Sequence, residues 1–146
     1  MGLVSQGQPY FSATSLATKL GDWIAIGEGL HSICWEFDFQ LGGGNVTGAL
    51  RVEHTAQLNG TLPANGSRIG LPLGSLHTTL TQAVLALAPN PSQEVTLTAV
   101  VSGRLALILG AVPAGNIRCS YIFASGAGAS PNLVVCNFAA TSRGSR

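Results

Sequence analysis

The chain predicts an all-β fold: an antiparallel β-sandwich or a jelly-roll-like small barrel of about eight strands. Three observations carry this. Ile33-Cys34-Trp35-Glu36-Phe37-Asp38-Phe39 alternates strictly between apolar and polar residues. Successive side chains of a strand point to opposite faces, so Ile33, Trp35, Phe37 and Phe39 share one face and Cys34, Glu36 and Asp38 the other. Similar alternation recurs toward the C-terminus, in segments separated by Gly, Pro and Asn turn signals. Finally, no heptad pattern, helical domain or internal repeat stands out.

The elements follow in order. Residues 1–8 are polar and glycine-containing and read as an arm. Residues 10–14 read as a short strand, and residues 22–26 alternate around Trp23 between the turn residues Gly21 and Gly27. Residues 30–39 form the aromatic strand. Gly42-Gly43-Gly44-Asn45 is a flexible connector, because glycine takes positive φ without strain. Residues 46–54 place Val46, Leu50 and Val52 on one face and Arg51 and Glu53 on the other. These two strands are expected to pair as a hairpin across the glycine loop. Residues 58–75 hold Asn59-Gly60, Asn65-Gly66, Pro63 and Pro72, and read as an extended loop that crosses a surface or reaches a partner.

Residues 76–88 are two-sided. Leu76, Leu80, Val84 and Leu87 fit a helical stripe, whereas Thr78, Thr79 and Thr81 favour a strand. The balance leans to strand, or to strand plus a short turn, ended by Pro89-Asn90-Pro91. Residues 94–101 alternate again, with Val95, Leu97, Ala99 and Val101 inward. Residues 104–109 are a short apolar strand open to burial on both faces. Val112-Pro113-Ala114-Gly115 is a turn. Residues 116–123 set Ile117, Cys119, Tyr121 and Phe123 against Arg118 and Ser120. Gly126-Ala127-Gly128-Ala129 reads as a loop, and residues 133–139 as the last strand. The plan is an arm over 1–9, one sandwich domain over 10–140 and a tail over 141–146.

Composition narrows the function classes. A chain of 146 residues can bury a real core. Charged residues make up only 9% of it, against about 25% in ordinary soluble domains. With a net charge of +1 and a single lysine, Lys19, there is no electrostatic case for nucleic acid or an anionic membrane. Low charge, positive mean hydropathy and 19 glycines fit a protein packed against neighbours. Cys34, Cys119 and Cys136 are odd in number and widely spaced, so they read as small buried hydrophobes rather than a disulfide framework. One pair could close only if its strands prove to be neighbours. The first ten residues lack the basic start and apolar run of a secretion leader, and no apolar stretch is long enough to span a bilayer.

The residue types that do chemistry are sparse. Glu36 and Asp38, two apart on one strand face, could form a carboxylate pair of the kind hydrolases use, but the solvated face of a strand is the stronger reading. His31, His54 and His77 could converge with Cys34 or an acid on a metal, but none has ligand spacing. Neither glycine-rich segment precedes a helix, so neither is a dinucleotide fingerprint. The Asn-x-Ser/Thr triplets at Asn45, Asn59 and Asn65 suit turns. Trp23, Trp35, Phe37, Phe39, Tyr121 and Phe123 could stack sugars or bases; core packing is the stronger reading. No catalytic residue, cofactor or metal is expected.

Asp22-Trp23-Ile24-Ala25-Ile26-Gly27, the aromatic strand, Gly42-Gly43-Gly44-Asn45-Val46-Thr47 and Leu50-Arg51-Val52-Glu53 form a distinctive layout. Val112-Pro113-Ala114-Gly115-Asn116-Ile117-Arg118 followed by a strand and Gly126-Ala127-Gly128 extends it. Over residues 21–139 this resembles the small β-sandwich virion proteins of tailed bacteriophages. The first Gly-Gly turn is longer than in that pattern, Val112 stands for its leucine, and its Asp-Gly-Gly hairpin is absent. The resemblance implies a non-enzymatic capsid decoration (cement) protein, made in the host cytoplasm and located on the virion surface. It further implies the major capsid protein as partner and a homo-oligomer, commonly a trimer. The candidate contact residues are Leu3 and Val4 in the arm, Leu62, Pro63, Arg68, Leu71 and Pro72 in the long loop, and Arg104 and Arg118 at a polar rim. An alternative is a tail or head-fibre component that recognises host glycans, with Trp23 partly exposed. A third is a lectin-like or enzyme-accessory module with Glu36 and Asp38 in a pocket.

Overall fold

The computed structural model describes residues 3–5, 10–41, 45–57, 62–68, 76–78, 84–87, 95–100, 103–127 and 132–142. Among them are twelve strands and no helix. The strands are β1 (Leu3–Ser5), β2 (Phe11–Thr14), β3 (Ile24–Ile26), β4 (His31–Leu41), β5 (Asn45–Thr55) and β6 (Ser67–Arg68), then β7 (Leu76–Thr78), β8 (Val84–Leu87), β9 (Val95–Val100), β10 (Gly103–Val112), β11 (Gly115–Ala127) and β12 (Asn132–Ser142). They form two antiparallel sheets. Sheet A runs β1-β12-β4-β10-β7, with β2 also on β12; sheet B runs β3-β11-β5-β9-β8, with β6 on β5. With the short β6, β7 and β8 set aside, and β1 and β2 taken as successive pieces of one edge strand, the order is first-eighth-third-sixth facing second-seventh-fourth-fifth. This is the jelly-roll arrangement.

The expected hairpin between the aromatic strand and its successor does not form. β4 lies between β12 and β10 in sheet A, whereas β5 lies between β11 and β9 in sheet B. The reason is the aromatic face itself. Ile33, Trp35, Phe37 and Phe39 are at most 1% exposed, and burial that complete needs a second sheet over the stripe rather than one neighbour beside it. The chain therefore changes sheet between β4 and β5, and again between β9 and β10, β10 and β11, and β11 and β12.

From sheet A, the core takes the β4 stripe, Leu105, Leu107 and Leu109 of β10, and Val134, Cys136 and Phe138 of β12. Sheet B supplies Leu50 and Val52 of β5, Val95 and Leu97 of β9, and Ile117, Cys119 and Tyr121 of β11. Aromatic contacts knit the layers. Phe37 meets Phe11 edge-on at 6.0 Å and stacks with Phe39 at 6.4 Å, while Phe39 meets Tyr121 of the opposite sheet edge-on at 5.9 Å. Such pairs add about 0.5–1.5 kcal/mol beyond their burial. The β10–β11 turn ends at Gly115, whose φ of +140° suits glycine alone.

Other expectations shift in detail. Residues 3–5 do not hang free: Leu3, Val4 and Ser5 pair with Thr141, Ala140 and Ala139 of β12. The tail begins later than expected, since Thr141 and Ser142 still belong to β12. Residues 76–78 and 84–87 are strands, one in each sheet, and 79–83 lie outside the described residues. β10 is covered on one face only, with Ile108 46% exposed. β11 runs on through Gly126 and Ala127, where a loop is expected from sequence.

Phe37→Ala is expected to lower the unfolding free energy by about 3–5 kcal/mol in urea titration, the cost of truncating a fully buried ring. Ile108→Ser on the open face is expected to change it by no more than about 0.5 kcal/mol.

Candidate functional site

Arg118 of β11 and Glu53 of β5 are direct cross-strand partners on the outer face of sheet B. Alternation turns both away from the core, yet Glu53 is 2% and Arg118 7% exposed. Arg118 Nε donates to Glu53 Oε1 at 3.1 Å and Nη2 donates to Oε2 at 3.4 Å. Nη2 also donates to the Ala64 carbonyl at 2.7 Å, and the Gly66 amide donates to Glu53 Oε2 at 2.8 Å. The indole of Trp23 closes the arrangement, with the guanidinium carbon 4.6 Å from its ring centroid. One buried ion pair thus clamps the loop over 62–66 and the strand entry at Trp23 to sheet B. Each charge keeps a counter-charge and further hydrogen bonds, which is the condition for burying a pair.

The same face is sewn down elsewhere. The Gly21 amide donates to Ser120 Oγ at 3.1 Å, Asn116 Nδ2 donates to the Gln57 carbonyl at 2.8 Å, and Lys19 and Tyr121 exchange backbone hydrogen bonds of 2.8 and 2.9 Å. Asn116, Arg118 and Ser120 are all buried in consequence. The outer face of sheet A contrasts with this. Arg104, Ile108, Gln40 and Asn137 are exposed there, and Cys34, Glu36 and Asp38 are half-buried. Arg104 Nη1 lies 4.0 Å from Glu36 Oε1, with side chains 63% and 43% exposed; a pair so open to water contributes little.

The residues with chemical potential are dispersed. Glu36 lines a shallow open depression with Cys34, Asn137, Phe138 and Ala139. Asp38 is outside it and accepts a hydrogen bond from Gln40 Nε2 at 3.3 Å. His31 is buried, and its Nε2 donates to the Gly27 carbonyl at 3.0 Å. His54 Nε2 lies 3.2 Å from the Pro113 carbonyl and 3.1 Å from that of Ala114. Both rings thus brace loops. His77 sits in β7, opposite Ala106 in the register. Among the described residues no three His, Cys, Asp or Glu side chains gather where they could hold a metal ion. The three cysteines are free thiols. Burial, and secondarily Glu36, raises the Cys34 thiol above its usual range, and burial raises those of Cys119 and Cys136.

The expected contact residues are scattered too. Leu3 and Val4 lie in β1 at the edge of sheet A, and Leu62 and Pro63 are half-buried in the clamped loop. Arg68 lies in β6, opposite Glu53. Leu71 and Pro72 lie outside the described residues. Arg104 is exposed. Arg118, expected at a polar rim, is instead locked inside the fold by Glu53, Ala64 and Trp23. Glu53 and Trp23 carried no sequence signal for this cluster beyond their place on alternating strands.

No protein-family model matches the chain, and no curated protein or solved structure matches it.

Glu53→Ala or Arg118→Ala is expected to cost about 3–5 kcal/mol in chemical denaturation, because each leaves a buried charge alone. The double variant is expected to lose less than the sum of the two, and each single variant to change the Trp23 fluorescence. A second expectation concerns alkaline pH. Burial pushes the Tyr121 phenol from 10.0 up to about 12, and its hydroxyl donates to the Ser15 carbonyl at 2.6 Å. The unfolded chain therefore loses this proton first, so stability falls as pH rises from the ordinary tyrosine value toward the folded one. Denaturation midpoints across that interval check it, and Tyr121→Phe is expected to flatten the decline.

Proposed function

We propose that this protein is a structural virion component, a decoration protein that docks on the capsid lattice of a tailed phage and transforms no molecule. The observation that carries the reading is the asymmetry of the sandwich. Among the described residues, segments of the chain cover the outer face of sheet B around Arg118, whereas the outer face of sheet A is more open, with Ile108 46% exposed. An open sheet face that presents an exposed apolar side chain beside Arg104, Glu36 and Asp38 is suited to lie against a protein surface. The resemblance over residues 21–139 supplies the identity of that surface, and the low overall charge agrees with life in an assembly. Docking of folded modules stabilises a shell by mass action, because whatever binds only the assembled state raises its stability. The resemblance further suggests a homo-oligomer, commonly a trimer, as the docking unit.

A second reading has one observation in its favour. Trp23 is half-buried rather than fully buried, as glycan stacking in a tail or head-fibre component requires, although Arg118 already covers one face of its ring.

The test is to mix the protein with expanded, DNA-emptied capsids and sediment them. Co-sedimentation at a fixed ratio is expected, and it is expected to weaken in Ile108→Glu while the circular-dichroism spectrum is unchanged. Glycan binding without capsid binding would favour the second reading, and binding to neither would overturn both.

A further inference from the structure

We infer that Asn65-Gly66 is a latent self-modification site, and that Glu53 holds it inactive while the loop is clamped. The inference stands independently of the virion role. The fold requires glycine at 66, since a Cβ there would lie 2.7 Å from Trp23 Cη2 and 2.8 Å from the His54 carbonyl oxygen. The residue before it is an exposed asparagine. Asn followed by Gly is the pair in which the next backbone nitrogen most easily reaches the asparagine side chain, because no Cβ on the second residue obstructs ring closure.

The chemistry balances with water alone. The Gly66 nitrogen gives its proton to a solvent base and bonds to Cγ of Asn65. The Cγ–Nδ2 bond breaks, and the amide nitrogen takes up a proton and leaves as ammonia. The product is a cyclic succinimide. Water then adds to one of its two carbonyls and the adjoining ring C–N bond breaks, leaving either aspartate or its isoaspartyl isomer.

The nucleophile of this reaction is the atom that the clamp grips. The Gly66 N–H donates to Glu53 Oε2 at 2.8 Å. Attack requires that hydrogen bond to break and an amide anion to develop beside a carboxylate. Both steps are disfavoured, the first by the strength of a charge-assisted hydrogen bond and the second by like-charge repulsion. A docked loop therefore resists conversion, and a released loop has the reactivity of a free peptide. Conversion also acts back on the clamp. It puts a negative charge between Ala64, whose carbonyl holds Arg118, and Gly66, whose amide holds Glu53. The isoaspartyl form in addition reroutes the main chain through the side-chain carbon, so a loop once converted docks less well.

The experiment incubates the full-length protein at mildly alkaline pH and follows amide-to-acid conversion at Asn65 by peptide mass spectrometry. Conversion in the folded wild type is expected to be at least about tenfold slower than in the urea-unfolded chain, the scale set by one charge-assisted hydrogen bond. Glu53→Gln, with folding verified by circular dichroism, is expected to raise the folded-state rate severalfold. Equal rates in folded and unfolded wild type would overturn the inference, as would an unchanged rate in folded Glu53→Gln. Hydrogen exchange of the Gly66 amide in the wild type decides the matter should that variant fail to fold. Protection is expected, and exchange at the free-peptide rate would sink it.

Discussion

The apolar stripe of β4 is the constraint on which the rest of the structure depends. Four large side chains on one face of one strand cannot be covered by the strands beside it, because neighbours in a sheet extend the same face. Cover must come from a second layer. Tyr121 reaches Phe39 from that layer, and Leu50, Val52 and Ile117 fill the space around them. The need for two layers explains why the chain changes sheet between β4 and β5 and why successive long strands fall in opposite sheets. It also explains the share of contacts between residues distant in sequence, which slows folding relative to a helical domain of this size.

The two outer faces were then put to different uses. On sheet B, alternation leaves Glu53 and Arg118 facing outward on adjacent strands, where they would ordinarily be solvated. The chain folds residues 62–66 and Trp23 over them instead. Desolvation makes the pair costly to break and gives it a position-setting role that an exposed pair could not have. Among the described residues sheet A has no comparable cover, and its exposed Arg104–Glu36 pair contributes little. Among the described residues, buried polar contacts are therefore concentrated on the outer face of sheet B, where they hold the chain to itself.

Strand identity was largely legible from residue order. The alternation at Ile33 to Phe39 and at Ile117 to Phe123 predicted which side chains face the core, because period-two patterning depends only on local backbone geometry. Turn chemistry at Pro113 and Gly115 was equally local. Pairing was not legible. Two strands separated by a short glycine segment look like a hairpin, and nothing within them reveals that each is claimed by partners far along the chain. Arg118 shows the same limit at the level of one side chain. Its outward position was readable, but its burial was not, since the loop that covers it is distant in sequence.

By itself, then, the order of residues determined an all-β chain, the inward and outward faces of its long strands, and a composition with only 9% charged residues. Those properties follow from the alternation of side chains along a strand and from simple counting. Only the tertiary structure decided the jelly-roll strand order, the pairing of Glu53 with Arg118, and which sheet face the described loop over 62–66 covers. Each of these depends on contacts between segments tens of residues apart, which are selected by the collective burial of the core rather than by any local signal.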